Sequence, residues 1–226
     1  MADAAIIFDV DGVLLELTQA EEDAFFYPFE ALYSLTGLSR DWDSYRVRND
    51  KDIITEILEK HLARPPHQAE YDAVVATYIG HAEQRLANGA LKPKLIPGAR
   101  GLLEALVHHG VTMGIATANL LDIARLRLEA MGLWTFVAGQ AGGADGGGHK
   151  RDVLARVIAN IGLAPNRVVY LGDNVNDVDA GLHTGVHFIG FAMEEPRRQK
   201  LKSAGAASIA ATHAQSLELI RRFLGR

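Results

Sequence analysis

Ala4-Ala5-Ile6-Ile7-Phe8-Asp9-Val10-Asp11-Gly12-Val13-Leu14 is the stretch on which the reading of the whole chain turns. Ala4 to Phe8 is a short, uninterrupted apolar run, as expected of a strand buried on both faces of a parallel sheet. At its end, alternation along extended backbone turns Asp9 and Asp11 to one side, and Gly12 permits a tight exit. Two carboxyl groups then sit together at a ligand-binding edge. A plainer reading of the same residues is a turn whose acids cap a helix or face water.

Working outward, similar apolar runs occur at Val111 to Ala116, Phe136 to Ala138, Arg167 to Leu171 and Val186 to Phe191. Helical patterns lie between them: Pro97 to His109 ends at Gly110, Leu120 to Met131 at Gly132, and Asp152 to Ile161 at Gly162, each glycine a favoured helix stop. Strands alternating with helices imply right-handed crossovers and an α/β fold, a doubly wound parallel sheet. The segment from about Leu17 to Lys94 has no convincing strand. Glu21 to Leu35, Asp52 to Leu62 and Gln68 to Leu86 each show helical apolar spacing, so the expectation is an inserted helical domain over residues 17–94 and a core of residues 1–16 and 95–226. An insertion at that point sits over the carboxyl ends of the strands, where open α/β sheets bind ligands.

Composition narrows the function classes. The 226 residues are 48% apolar, enough for a substantial core, and 23 Lys and Arg against 28 Asp and Glu leave a net charge of −5. No global attraction holds such a chain on nucleic acid or anionic lipid. The absence of cysteine excludes disulfides, thiolate catalysis and Cys-based zinc sites. With no apolar run near the roughly 20 residues that span a bilayer and no signal-peptide core ahead of Asp9, the expected location is cytoplasmic.

Two further strand ends and one helix start carry polar groups. Thr117-Ala118-Asn119 follows the second run, where Thr117 Oγ and nearby N–H groups suit a phosphoryl oxygen, although Thr or Asn there also serves as an ordinary cap. Gly172-Asp173-Asn174-Val175-Asn176-Asp177 places two carboxylates four apart, suited to Mg²⁺ or simply to capping a helix, with Asp179 their exposed counterpart. Lys150 opens a helix, normally a solvated place for a Lys. Its interest comes from chain order.

Together these pieces resemble the four motifs of the haloacid dehalogenase superfamily, in order: DxDGxL at Asp9 to Leu14, Thr117, Lys150, and GDxxxD at Gly172 to Asp177. The resemblance covers nearly the whole chain, and the helical insertion resembles the superfamily's C1 cap, as in phosphoglycolate phosphatases and β-phosphoglucomutase. It implies a Mg²⁺-dependent phosphatase acting on a small phosphorylated metabolite. Asp9 would be the nucleophile, Asp11 the acid and then the base, Thr117 a phosphoryl-oxygen holder and Lys150 the bridging cation. Asp9, the Asp11 carbonyl and Asp173 would hold the metal, with Asp177 a ligand or a neighbour of one; Gly12, Ala118 and Asn119 would line the substrate.

The alternatives implied are a phosphomutase and a non-catalytic phosphate-binding module. Dehalogenation is disfavoured, since Asp11 and the metal set are present. The match departs from the common pattern at Lys150, which lacks a nearby Pro, leaving Arg151 as a substitute cation. Gly142 to Gly148 lacks a P-loop ending and reads as a flexible surface loop. Arg46 and Arg48, in the loop Tyr45 to Lys51 about 40 residues after Asp9, are the expected selectivity residues of the cap. Trp42 and Trp134 read as packing residues, and Arg197, Arg198, Lys200 and Lys202 as a solvated helix face. The expected assembly is a monomer or weak homodimer, without nucleic-acid or membrane partners.

Overall fold

The computed structural model describes residues 3–225. Among the described residues, eight strands and ten α-helices follow one another: β1 Ala5–Phe8, β2 Leu15–Glu16, α1 Gln19–Tyr33, α2 Asp50–Leu62, α3 Gln68–Ala87, β3 Lys94–Leu95, α4 Ala99–His108, β4 Thr112–Ala116, α5 Leu121–Ala130, α6 Trp134–Val137, β5 Ala141–Gly142, α7 Lys150–Ile161, β6 Val168–Gly172, α8 Val175–Thr184, β7 His187–Phe191, α9 Glu195–Ser203, β8 Ser208–Ala210 and α10 His213–Phe223. No helix among the described residues is long and apolar enough to cross a membrane.

Six strands form one sheet in the order β5-β4-β1-β6-β7-β8, every pair parallel. β1 and β6 are buried at every position because helices cover both faces, which is why they read as unbroken apolar runs. One apolar cluster packs α4, α5 and α10 on one face, and the other packs α7 and α8 on the opposite face. From β1 the chain builds outward to β4 and β5, then returns to the other side of β1 for β6, β7 and β8. The order therefore reverses around β1, and the strand ends meeting there form the crevice such sheets use.

Helices α1, α2 and α3 make a third apolar cluster around Phe25, Phe29, Ile54 and Leu58. This module leaves the sheet through β2 and returns through β3, which pair antiparallel, Leu15 with Leu95 and Glu16 with Lys94. Trp42 stacks on Phe26 within it, in keeping with a packing role.

Two expectations are corrected here. Phe136 to Ala138 is not a strand: Trp134–Val137 is a single helical turn continuing into a 3₁₀ turn, and the sheet edge is supplied by Ala141 and Gly142. Three apolar residues fit a helical turn on a core as well as they fit a strand, and Val137 is buried in this way. The glycine-rich segment is not a free surface loop, because it supplies β5 and a 3₁₀ turn and buries Ala144 completely. The edge strand β8 left no clear signal in three residues, Ser-Ile-Ala.

Candidate active site

The carboxyl ends of β1, β4 and β6 deliver Asp9, Thr117 and Asp173 to one cavity of about 290 Å³. Asp9 extends the ladder past β1, its N–H donating to the Leu171 carbonyl at 2.8 Å, so its side chain leaves the sheet at a fixed point. The chain then turns at Gly12, which adopts φ +75°. A Cβ at Gly12 would lie 1.9 Å from Asp173 Oδ2. Glycine is required there twice over, for its backbone conformation and for the close approach of the Asp173 carboxylate. The buried His213 ring bonds the Val13 carbonyl at 2.8 Å and braces the same turn.

Lys150, at the start of α7, places Nζ 2.6 Å from Asp9 Oδ1 and 3.3 Å from Asp177 Oδ1. Asp177 is pinned from several directions. Its Oδ1 accepts from the Tyr170 hydroxyl at 2.6 Å, and its Oδ2 accepts from the N–H groups of Asp173 and Asn174. Asp173 receives Arg197, whose Nη2 lies 2.6 Å from Oδ2.

Burial raises the Asp9 carboxyl well above the ordinary range; Lys150 opposes the rise, while Asp177 and Asp173 reinforce it. Asp173 is pushed up to about 7, by burial first and then by Asp177. Three carboxylates in so small a buried volume resist simultaneous ionisation unless a cation joins them. One oxygen from each of Asp9, Asp173 and Asp177 lies within 4.8 Å of the others. An all-oxygen carboxylate set of this kind suits a hard divalent ion, and since both Asp177 oxygens are already engaged, Asp9 and Asp173 are the better-placed donors.

Asp11 points away from Lys150 to a residue that sequence reasoning missed, Arg127 of α5. Arg127 Nη2 lies 2.6 Å from Asp11 Oδ1, Nε lies 2.6 Å from Glu21 of α1, Nη1 reaches Asn119 Oδ1 and Nη2 also reaches the Glu16 carbonyl. A buried arginine survives through such saturation, being held by two carboxylates and two neutral acceptors. Its sequence setting, an arginine inside an amphipathic helix, looks like any exposed one. Thr117 is buried and its Oγ1 accepts from the Asn119 N–H, while Ala118 and Asn119 line the cavity as expected.

The helical module closes the cavity through the start of α2. The Asp50 N–H donates to the Ala118 carbonyl and Asp50 Oδ2 accepts from the Leu120 N–H. Asn49 Nδ2 donates to the Gly148 carbonyl, the Gly148 N–H donates to Asp52 Oδ2, and Lys51 Nζ reaches the Asp145 carbonyl.

Burial pushes Asp50 up to about 7, with the Leu120 N–H and Arg127 opposing and Asp11 and Asp145 adding to the rise. The folded state thus holds a proton that the unfolded chain releases near its ordinary value. The stability contribution of this group falls as pH rises from about 4 to about 7, by up to about 1.4 kcal/mol per pH unit, and levels off above. In buffer containing Mg²⁺, Asp50→Asn should lose less melting temperature than wild type between pH 5 and pH 7.5. Identical responses of the two proteins would show that Asp50 is not the buried titrating group.

The remaining expected residues divide. Arg48 lines the cavity, paired with Asp43 at 2.8 Å. Arg46 does not: it is exposed and bound to Glu56 and Glu59 on the outer side of α2, because those acids are its nearest counter-charges. Arg151 pairs with Asp179 at 3.7 Å, away from Asp9, so Lys150 occupies the cation position. Arg197 is exposed, in keeping with a solvated helix face, and it also lines the cavity through its pair with Asp173, a placement that only the tertiary fold reveals.

The haloacid dehalogenase-like hydrolase model matches residues 6–191. Over 97% of its length the chain is 25% identical to a tyrosine-protein kinase from Mycobacterium tuberculosis, covering 72% of that protein. It is also 25% identical to a phosphoglycolate phosphatase from Rhodospirillum rubrum, covering 91% of this chain and 86% of that one. The fold superposes on a predicted phosphatase from Clostridium acetobutylicum with a TM-score of 0.71 at 18% identity, over 98% of this chain and all of the other. The family match begins in β1 and ends with β7, spanning every strand end that lines the cavity, and the chain therefore belongs to the haloacid dehalogenase-like hydrolase family.

Proposed function

We propose that the protein is a Mg²⁺-dependent phosphatase that hydrolyses a small phosphate monoester through an aspartyl-phosphate on Asp9. The observation that carries this reading is the contact of Lys150 with Asp9 at 2.6 Å beside Thr117 and Asp173, a carboxylate nucleophile flanked by groups that neutralise phosphoryl charge. Residues 17–94 act as the cap.

In the first step an Asp9 oxygen attacks phosphorus, the bond from phosphorus to the leaving oxygen breaks, and that oxygen takes a proton from Asp11. In the second, water gives a proton to the Asp11 carboxylate and attacks the phosphorus. Inorganic phosphate leaves and the Asp9 carboxylate is restored. Asp11 suits both tasks because Arg127 holds Oδ1, while Oδ2 has no hydrogen-bond partner among the described residues. Lys150 keeps the Asp9 carboxylate from being repelled by its anionic substrate, and Thr117 Oγ1 steadies a phosphoryl oxygen. Asp9, the Asp11 carbonyl and Asp173, with Asp177 alongside, would hold Mg²⁺, which would supply positive charge to the transferring phosphoryl group.

A screen of phosphorylated metabolites for Mg²⁺-dependent phosphate release tests the reading. Release without any added bisphosphate separates it from a mutase. Asp11→Asn should lower kcat by about 10²- to 10⁴-fold on esters with poor leaving groups, and less on p-nitrophenyl phosphate, whose leaving group needs no proton. An equal loss on both would remove Asp11 from the role of acid.

A further inference from the structure

Beyond the phosphoryl end, the cavity carries an uneven set of groups. Among the described residues lining it are seven carboxyl groups, of Asp9, Asp11, Glu21, Glu22, Asp50, Asp173 and Asp177, and four cations. Each cation already has a carboxylate partner: Lys150 has Asp9, Arg197 has Asp173, Arg127 has Asp11 and Glu21, and Arg48 has Asp43. Arg127 spends four hydrogen bonds in this way and is fully buried. Arg48 is paired with the exposed Asp43. Among the described residues lining the cap side, Arg48 is the cation, and it is held by Asp43.

The cap side is instead walled by Phe25, Ile53, Ala82, Leu86, Leu91 and Ile123. Among them stands Tyr78, 6% exposed, whose hydroxyl has no hydrogen-bond partner among the described residues. The hydroxyl is not sealed off, since the buried side-chain polar atom left without a partner among the described residues is His213 Nδ1; the hydroxyl opens on the cavity and is free to donate to what fills it. Tyr78 lines the cavity together with Asp50, Arg127, Asp11 and Glu21.

We propose that the leaving group accepted here is a neutral alcohol with an apolar carbon frame, seated against Phe25, Ile53, Ala82, Leu86, Leu91 and Ile123, whose polar atom accepts from the Tyr78 hydroxyl. The proposal rests on the phosphatase reading and selects among its substrates. A carboxylate on the leaving group would be stripped of water against hydrocarbon, with the lining cations already held by acids, a costly burial. Each methylene placed on the same wall gains about fourfold in affinity.

The test compares benzyl phosphate with 2-phosphoglycolate on the full chain with Mg²⁺, using p-nitrophenyl phosphate as a control with an activated leaving group. Benzyl phosphate should show a kcat/KM at least tenfold above that of 2-phosphoglycolate. Leu86→Lys, which adds a cation at a half-buried position of the wall, should shift that ratio toward 2-phosphoglycolate by tenfold or more. If p-nitrophenyl phosphate is hydrolysed while 2-phosphoglycolate equals or exceeds benzyl phosphate in the wild type, the proposal fails and the phosphatase reading stands. If none of the three is hydrolysed, the phosphatase reading itself fails. Should Leu86→Lys not fold, the wild-type ratio decides alone.

Discussion

Asp9→Asn should reduce phosphate release by at least about four orders of magnitude while leaving a folded protein, because the amide keeps the shape of the carboxylate and loses the nucleophile. The Asn side-chain oxygen can still accept the Val10 N–H, as Asp9 Oδ1 does at 2.8 Å. The variant also removes one of three carboxylates whose mutual repulsion and burial hold Asp9 and Asp173 above their ordinary range. It should therefore melt no lower than wild type in metal-free buffer, even though Lys150 keeps only Asp177 as a charged partner. Activity within tenfold of wild type, in protein shown by mass to be free of deamidation, would remove Asp9 from the covalent role.

Removal of divalent metal has the next largest effect. With EDTA in excess the rate should fall by at least about a thousandfold and return when Mg²⁺ is restored, since the pocket around Asp9, Asp173 and Asp177 is too anionic to admit a phosphate dianion unaided. A second readout does not depend on turnover. Mg²⁺ bound only by the folded state should raise the melting temperature of wild type and raise it less in Asp173→Asn, which lacks one oxygen charge. Full activity in chelator, with metal verified as negligible by elemental analysis, would end the metal reading.

The parallel sheet was legible because its central strands, β1 and β6, are buried on both faces and must be apolar at every position. The site residues at strand ends, Asp9, Thr117 and Asp173, could be located because a strand end is a sharp boundary between apolar and polar sequence. Lys150 became legible only through its place in chain order, after Thr117 and before Asp173. Arg127, Arg197 and Asp50 were not legible, since each lies on a helix where charged residues are ordinary and only packing decides which face the cavity. Phe136 to Ala138 misled for the converse reason, as three apolar residues carry no period. Arg46 misled because charge near the right place in sequence says nothing about the acids, Glu56 and Glu59, that hold it on the outer surface.

The seam between α2 and the core has an asymmetry that bears on how this protein can drift. On the α2 side the bonds are made largely by particular side chains, Asn49, Asp50, Lys51 and Asp52; on the other side every partner is a main-chain atom, of Ala118, Leu120, Asp145 or Gly148. A main-chain N–H or carbonyl is the same whatever residue carries it. The core loops are thus free to change identity at these contacts, within the room their own folding allows, while four consecutive positions from Asn49 to Asp52 carry the chemical specification of this seam. In a lineage of such chains the record of this seam would be written on one side only, whereas the Arg127–Glu21 pair would have to change on both sides at once.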